Sequence, residues 1–220
     1  MPRARTALVL ALLCSSFLAA PATAGDNICD AHTSKDQKCV GTEHADSMVT
    51  AGGNDHLAGK GGDDRLDSKG GSDTDVGGSG DDRIHGGKGS DELRGGGGQD
   101  IELGDETGPG GDDLVVGGKG HDRLFGMAGE DRVIGTDGDD VIHGGDGVDV
   151  MKGGPGNDTL DDAPRTHQDR DHFDGNEGND EIFSRDGLRD TIVCGSGHDI
   201  AKADHADKVA SDCEQVIRIG

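Results

Sequence analysis

The sequence has 220 residues, of which 45 are acidic and 21 are basic, so its formal net charge is −24. This charge excludes phosphate backbones as natural partners, and a nucleic-acid-binding function is therefore not expected. With 2% aromatic residues and neither Trp nor Tyr, so acidic a chain would ordinarily be classed as disordered, because its charges repel one another and little apolar surface can be buried.

The N-terminal residues have the pattern of an export signal. Arg3 and Arg5 precede an apolar stretch at 7–20, and Ala22-Thr23-Ala24 has the small-x-small pattern of a signal-peptidase site. The stretch is interrupted at Cys14 and is shorter than the ~20 residues that a membrane span needs. We therefore expect residues 1–24 to be removed, leaving a secreted, extracellular protein without a membrane span. Loss of the two arginines would change the formal charge from −24 to −26.

Four cysteines remain after that cleavage, and an even number in an exported chain favours disulfides. The simplest pairing joins neighbours, Cys29 with Cys39 and Cys194 with Cys213, which places one bridge at each end of the repeats described next. The alternative is a zinc site that consists of Cys29, His32, Cys39 and His44, but these residues have no recognised ligand spacing.

A nine-residue repeat organises the sequence from 41 to 202, and its clearest copies are 77–85 (GGSGDDRIH) and 86–94 (GGKGSDELR). The first six residues predict a turn in which glycines supply conformations closed to other residues and the sixth position places a carboxylate. The last three predict a short strand with one inward apolar side chain, Ile84 or Leu93. Stacked copies would join these side chains into one core and bring successive carboxylates together.

The repeat predicts seventeen units, seven in 41–103, six in 108–161, two in 166–183 and two in 185–202. The interruptions at 104–107, at 162–165 and at Ser184 are interpreted as loops that bulge from turns. All seventeen units have Asp at position six, and fourteen have a sizeable apolar residue at position eight. The three exceptions are Asp75, Glu102 and Ala201, where local one-residue slips of the strand are expected to restore an apolar core.

The flanking segments 25–40 and 203–220 depart from the repeat. Because the ends of a stacked array expose apolar positions and unpaired strand edges, both segments are interpreted as caps that the disulfides hold in place. Val209, Val216, Ile217 and Ile219 are candidates to cover the last coil.

The turns also have the chemistry of a calcium site. Calcium prefers six to eight hard oxygen ligands from carboxylates and backbone carbonyls. A glycine-rich turn that ends in Asp offers both kinds, because glycines allow carbonyl groups to turn inward without a Cβ clash.

The unit Gly-Gly-x-Gly-x-Asp-x-apolar-x closely resembles the repeat of the RTX, or hemolysin-type, calcium-binding family. This resemblance implies an all-β fold, a parallel β-roll in which alternate strands lie in two facing sheets, eighteen residues form one coil, and calcium ions lie between successive turns on the same edge. On one edge it implies a row of Asp46, Asp64, Asp82, Asp100, Asp122, Asp140, Asp158, Asp180 and Asp199. On the other it implies Asp55, Asp73, Asp91, Asp113, Asp131, Asp149, Asp171 and Asp190.

Three departures from the repeat weaken individual sites. The turn before Asp171 has no glycine, the turn before Asp190 has Leu188 at position four, and the insertion at 104–107 is expected to disturb the stacking of Asp100 on Asp122. The predicted metal ligands are therefore the other fifteen aspartates of the two rows, with Asp171 and Asp190 left out.

The functional prediction is a secreted, non-catalytic protein that binds Ca²⁺ and folds when it does so; its protein partner cannot be identified from the sequence. Signatures of zinc hydrolases, serine hydrolases and nucleotide-binding loops are absent. One alternative is a calcium-stiffened adhesin or other cell-surface structural protein. Another is a secreted hydrolase with an unrecognised active site near the insertion at 162–165, built from His167, Asp169, Asp171 and His172.

Overall fold

The computed structural model describes residue 29 and residues 33–105, 110–161 and 169–218. In this part of the chain the protein forms twenty β-strands and no helix. The proposed signal segment 1–24 and the insertion at 162–165 lie outside the described residues.

The strands form two ten-stranded sheets in which all neighbours are parallel, and consecutive strands alternate between the sheets. The first sheet contains β1 (Lys38–Val40), β3 (His56–Gly61), β5 (Thr74–Ser79), β7 (Glu92–Gly97), β9 (Leu114–Lys119), β11 (Arg132–Asp137), β13 (Val150–Pro155), β15 (His172–Glu177), β17 (Thr191–Val193) and β19 (Lys208–Val209). The second contains β2 (Ser47–Val49), β4 (Arg65–Asp67), β6 (Arg83–His85), β8 (Ile101–Leu103), β10 (Arg123–Ala128), β12 (Val141–Asp146), β14 (Thr159–Asp161), β16 (Glu181–Ser184), β18 (Ile200–Ala203) and β20 (Gln215–Arg218).

The register confirms the predicted coil. In the second sheet Leu124 pairs with Ile142, and Ile142 pairs with Leu160, so one coil advances the chain by eighteen residues where no insertion intervenes. The seventeen strands β2–β18 each begin at position seven of one of the seventeen predicted units. The fold is a parallel two-sheet β-solenoid of about 9 turns, as the repeat predicted.

Nine of the strands run for six residues rather than three. In these strands pairing continues through the first three residues of the next unit, as where Met127 pairs with Gly145 after Phe125 has paired with His143. The glycine-rich segment is therefore partly strand, and the tight turn is confined to the residues around position four.

The core is a single line of side chains between the sheets. All fourteen apolar residues predicted at position eight are at most 1% exposed: Met48, Leu57, Leu66, Ile84, Leu93, Val115, Leu124, Val133, Ile142, Met151, Leu160, Phe173, Ile182 and Ile192. Their neighbours in each strand face outward because strand side chains alternate. Each coil thus buries only two sizeable apolar side chains, a thin core for its length.

The predicted strand slips are wrong. Glu102 is fully buried and pairs with Ile84 and Leu124 in unbroken register, and Asp75 is fully buried between Leu57 and Leu93. Ala201 keeps the same inward position. A strand in the middle of a parallel sheet is hydrogen-bonded on both sides, so a slip would disrupt two ladders to correct one side chain.

Both predicted disulfides, Cys29–Cys39 and Cys194–Cys213, are present, which rules out the zinc alternative at Cys29 and Cys39. The end segments add strands to the solenoid, since β1 pairs with β3, β19 with β17, and β20 with β18. Val209 packs against the core, but Val216 and Ile217 are 40% and 38% exposed and do not cover the last coil. Ile219 lies outside the described residues.

Candidate metal-binding turns

The position-six aspartates form two hydrogen-bonded ladders. From Asp46 to Asp180, each backbone N–H donates to Oδ1 of the position-six aspartate in the next coil; the Asp122 N–H to Asp140 Oδ1 distance, for example, is 2.8 Å. Because every turn joins a strand of one sheet to a strand of the other, alternate turns lie on opposite edges. All seventeen aspartates are at most 3% exposed. The ladders reproduce the two predicted rows.

The ladders continue through the irregular turns. The Asp100 N–H reaches Asp122 Oδ1 at 2.9 Å, so the insertion at 104–107 does not disturb this stacking, contrary to expectation. Asp171 and Asp190 accept equivalent bonds from Asp149 and Asp171, at 2.7 and 2.9 Å. The chain thus keeps its coil stacking where the turn sequence varies.

The second carboxylate oxygen distinguishes most of these aspartates from ordinary turn residues. In fourteen of them one carboxylate oxygen is buried and has no hydrogen-bond partner among the described residues: Asp46, Asp55, Asp64, Asp73, Asp82, Asp91, Asp100, Asp113, Asp122, Asp131, Asp140, Asp158, Asp180 and Asp199. Buried polar atoms are normally paired, because desolvation without a partner is unfavourable. A repeated buried oxygen of this kind indicates a ligand that the protein chain does not supply.

In the regular turns, the glycine at position one leaves space that a backbone carbonyl shares with this oxygen. A Cβ added at Gly126 would lie 2.5 Å from Asp131 Oδ2 and 2.7 Å from the carbonyl oxygen of Gly144 in the next coil. Both oxygens therefore border the same small space, which only glycine leaves open. A carboxylate and a carbonyl facing one space are the donor set that calcium prefers.

The fourth position requires glycine for a different reason. Gly138 has φ of 136°, and a Cβ there would overlap the carbonyl oxygen of Gly120 in the preceding coil. The backbones of successive turns approach too closely for any side chain at this point. The glycines thus set the spacing of the carboxylates along each edge.

Burial and like charge disfavour ionisation of these carboxylates in the folded chain. Desolvation raises the pKa of Asp131 and Asp140 from 3.8 to about 7 and that of Asp158 to about 8. The backbone N–H of the preceding aspartate lowers each value, but nearby aspartates, such as Asp180 beside Asp158, raise it again. The folded chain needs protons or cations at these turns.

The two inward carboxylates add charge to the core itself. Burial raises the pKa of Asp75 to about 8, although the Ser68 hydroxyl donates to its Oδ2 and opposes the shift. Burial also raises the pKa of Glu102 well above its ordinary range, and the nearby Asp100 and Asp122 contribute to this. The Gly95 amide opposes the shift for Glu102 but is too poorly placed to form a hydrogen bond.

A hydroxyl group satisfies the second oxygen at one of the irregular turns. Ser184 is fully buried rather than part of a bulging loop, and its Oγ lies 2.6 Å from Asp190 Oδ2 and 3.0 Å from Asp207 Oδ2. Its single proton is donated to the nearer Asp190 Oδ2, while Asp207 Oδ2 accepts from the Asp204 N–H at 2.8 Å. Asp190, which the predicted ligand set left out, is therefore already hydrogen-bonded at both oxygens.

Sequence analysis missed two further ladder positions. The Asp190 N–H donates to Asp207 Oδ1, and the Asp199 N–H donates to Glu214 Oε2, each at 3.0 Å. The signal was present in the triplets Asp207-Lys208-Val209 and Glu214-Gln215-Val216, which repeat the acidic-x-apolar ending of each unit. It was hidden because the glycines that normally precede this ending are absent.

Within residues 33–105, 110–161 and 169–218, no three His, Cys, Asp or Glu side chains converge to form a metal-binding group. Each row offers one carboxylate per coil, so an ion held there would need backbone oxygens as well. Of the alternative hydrolase residues, His167 lies outside the described residues and Asp171 is a member of the ladder. Asp169 accepts a hydrogen bond from the Gly147 N–H.

The comparison with protein families agrees with this geometry. The model of the RTX calcium-binding nonapeptide repeat matches residues 40–75, 76–102, 107–135, 125–160 and 168–201, which together make up more than half of the chain. The chain belongs to the RTX calcium-binding repeat family. RTX repeats are known calcium-binding motifs, and the solenoid fits a calcium-binding repeat protein. No curated protein matches the chain. The described residues contain no helix of the length and apolarity needed to cross a membrane.

Proposed function

We propose that this RTX protein is a secreted, non-catalytic calcium-binding protein whose folding is coupled to calcium binding. The observation that carries the proposal is the repeated buried carboxylate oxygen that faces a carbonyl of the next coil, as at Asp131 and Asp140. The proposed ligands are the fifteen aspartates predicted from the sequence, each acting with backbone carbonyls of adjacent turns. Residues 41–202 would form the calcium-binding roll, and 25–40 and 203–220 its caps.

The charge balance supports coupling between binding and folding. Carboxylates about one coil apart, at ~4.8 Å, repel by roughly 1 kcal/mol per pair even at the dielectric constant of water. Summed over two rows, this repulsion is comparable to the ~5–15 kcal/mol net stability of a typical domain. About a dozen calcium ions would add roughly +24, close to the formal charge of −26 expected for the mature chain.

The proposed location follows from the export-like N-terminus and from the two disulfides, which favour an oxidising compartment. Calcium affinities of ~0.1–1 mM are usual for extracellular modules. With such an affinity the chain would be largely unfolded at cytosolic calcium levels and would fold after export.

Circular dichroism and small-angle scattering of the mature protein, titrated with calcium, test this proposal. We expect an expanded, strand-poor chain in excess chelator and a compact, strand-rich one in calcium. Magnesium is the matched control, because its octahedral preference suits it poorly to carbonyl-rich turns. A compact, strand-rich state in chelator that calcium does not change would overturn the proposal.

A further inference from the structure

Glu102 is the one inward residue whose charge has no hydrogen-bonding group to match it in the described part of the chain. It occupies position eight of its unit, where fourteen other units place a sizeable apolar residue, and it is fully buried between Ile84 and Leu124. Neither carboxylate oxygen has a hydrogen-bond partner among the described residues. Burying an unpaired carboxylate is strongly unfavourable, so the residue needs a compensating partner.

The side chain is directed at the turn that ends in Asp100. A Cβ added at Gly95 would overlap both Asp100 Oδ2 and Glu102 Oε1 and would lie 2.7 Å from the carbonyl oxygen of Gly117. All three oxygens thus lie within 2.7 Å of one point, and no more than about 5 Å from one another. Calcium ligands lie ~2.3–2.6 Å from the ion, so a single ion can contact oxygens at this separation.

The other buried inward carboxylate is in a different environment. Asp75 accepts a hydrogen bond from the Ser68 hydroxyl, and Ser68 stands at position one of its unit, where Gly95 stands in the unit of Glu102. A serine donor thus occupies the space beside Asp75, whereas the three atoms nearest to the corresponding point beside Glu102 are all acceptor oxygens. Three converging acceptor oxygens fit a cation.

We propose that Glu102 is a calcium ligand from the core, which joins Asp100 and the Gly117 carbonyl to make a site with one carboxylate more than the regular turns have. This inference rests on the calcium-binding function proposed above. A site with an additional anionic ligand binds calcium more tightly, because affinity in calcium proteins rises with the number of charged ligands. The turn at Asp100 would therefore fill before the regular turns and begin the ordering of the roll.

Calorimetric calcium titration of the mature protein and of Glu102→Leu tests the assignment. Leucine restores the apolar pattern and removes an unpaired buried carboxylate, so the fold in saturating calcium should be retained. The tightest class of sites should weaken by at least about tenfold. Glu102→Gln, which keeps the shape of the side chain, should lose the same affinity, because charge rather than packing is responsible.

Asp75→Leu is the matched control, since it also replaces a buried inward carboxylate by leucine. We expect its calcium isotherm to match that of the wild type, because Asp75 Oδ2 already accepts a hydrogen bond from the Ser68 hydroxyl. The proposed role of Glu102 would be overturned if Glu102→Leu bound calcium as tightly as the wild type does. It would also be overturned if both leucine variants lost the same calcium affinity; neither result would affect the proposed function. A wild-type protein that binds no calcium would reject the proposed function, and this inference with it.

Discussion

The middle of the roll and its C-terminal end build the same aspartate ladder with different partners. In the middle, one oxygen each of Asp131, Asp140 and Asp158 has no donor among the described residues, whereas near the end the Ser184 hydroxyl donates to Asp190 Oδ2. Burial raises the pKa of Asp190 to about 6 and the Ser184 hydroxyl opposes that shift, whereas no side-chain donor opposes it at the three middle aspartates, whose pKa values rise to about 7 to 8.

This difference shows that the fold has two ways to accommodate a buried carboxylate. A hydroxyl group supplies a donor from within the chain at any calcium concentration, while a turn without one depends on an external cation or a proton. The end that contains Ser184 also has the Cys194–Cys213 disulfide. Calcium dependence should therefore be strongest in the middle of the roll and weakest near Ser184.

The largest expected effect is that of pH on the calcium-free protein. The pKa of these carboxylates in the folded chain is raised above the ordinary 3.8, to about 8 at Asp113 and Asp158, so the folded state binds more protons than the unfolded state. Protonation of these carboxylates therefore stabilises the folded state in full below about pH 4, and this stabilisation is lost as the pH rises towards about 8. At neutral pH the chain in chelator should be unfolded, and acidification should restore strand content and a thermal melting transition, both measured by circular dichroism.

Residue-resolved hydrogen exchange, corrected for the intrinsic effect of pH, would sharpen this comparison. Protection in chelator should decline up to about pH 8 around Asp158 but should have declined already by about pH 6 around Asp190. A chain in chelator that gains no strand content on acidification would contradict the proposed role of these carboxylates.

A pair of glycine substitutions tests how closely the coils pack in the two regions. Gly138→Ala would drive a Cβ into the carbonyl of Gly120, whereas a Cβ at Gly187 meets no atom within 4 Å. We expect Gly138→Ala to destabilise the protein by at least about 3 kcal/mol, since backbone would have to move. Gly187→Ala should cost about 1 kcal/mol, because only its positive φ of 91° is unfavourable. Urea unfolding in saturating calcium measures both, and equal losses would contradict the difference in packing.

Most of the solenoid could be predicted because each unit repeats the same pattern of turn and strand residues. An aspartate at position six and one apolar residue at position eight recur in phase. These two positions predicted the strands from Met48 to Ile192, the length of the coil and the two rows of aspartates. Errors arose where one unit was judged in isolation. At Glu102 the apolar neighbours Ile101 and Leu103 suggested a slip, but the pairing on both sides of the strand keeps the register.

The features of the site that could not be predicted depend on contacts between distant residues. That the Ser184 hydroxyl lies between Asp190 Oδ2 and Asp207 Oδ2 requires the positions of residues 23 apart in sequence, and no local pattern encodes it. The approach of Glu102 to Asp100 likewise depends on Gly95 leaving space for both. The sequence shows which residues repeat, whereas the structure shows which oxygens remain without a donor.

Removal of the Ser184 hydroxyl should affect stability in a way that calcium does not correct. Ser184→Ala leaves Asp190 Oδ2 without its donor, and a lost donor to a buried carboxylate costs about 1–3 kcal/mol. We expect a similar loss in chemical unfolding with low and with saturating calcium. Ser72→Ala, at an exposed turn position, is the control and should be near neutral. If saturating calcium restored Ser184→Ala to wild-type stability, a calcium ion would be able to replace the hydroxyl as the partner of the buried carboxylate.

The smallest and most local effect is expected from charge removal at single ladder positions. Asp140→Asn and Asp190→Asn both keep a carbonyl oxygen to accept the N–H of the preceding coil, from Asp122 and Asp171 respectively, so neither should break its ladder. Asp140→Asn removes charge from an oxygen without a donor, and calcium affinity at that one site should fall about tenfold.

Asp190→Asn should leave calcium binding unchanged, because Ser184 already occupies the second oxygen of Asp190. Calorimetric titration of the two variants beside the wild type measures the difference, and thermal unfolding in calcium should change little for either, since one site among many is altered. Equal losses of affinity would mean that calcium also binds at the Ser184 turn and that the hydroxyl does not replace it. Wild-type affinity in both variants would mean that the carboxylate charge at these turns does not bind the ion, and the ladder would then be a purely structural feature.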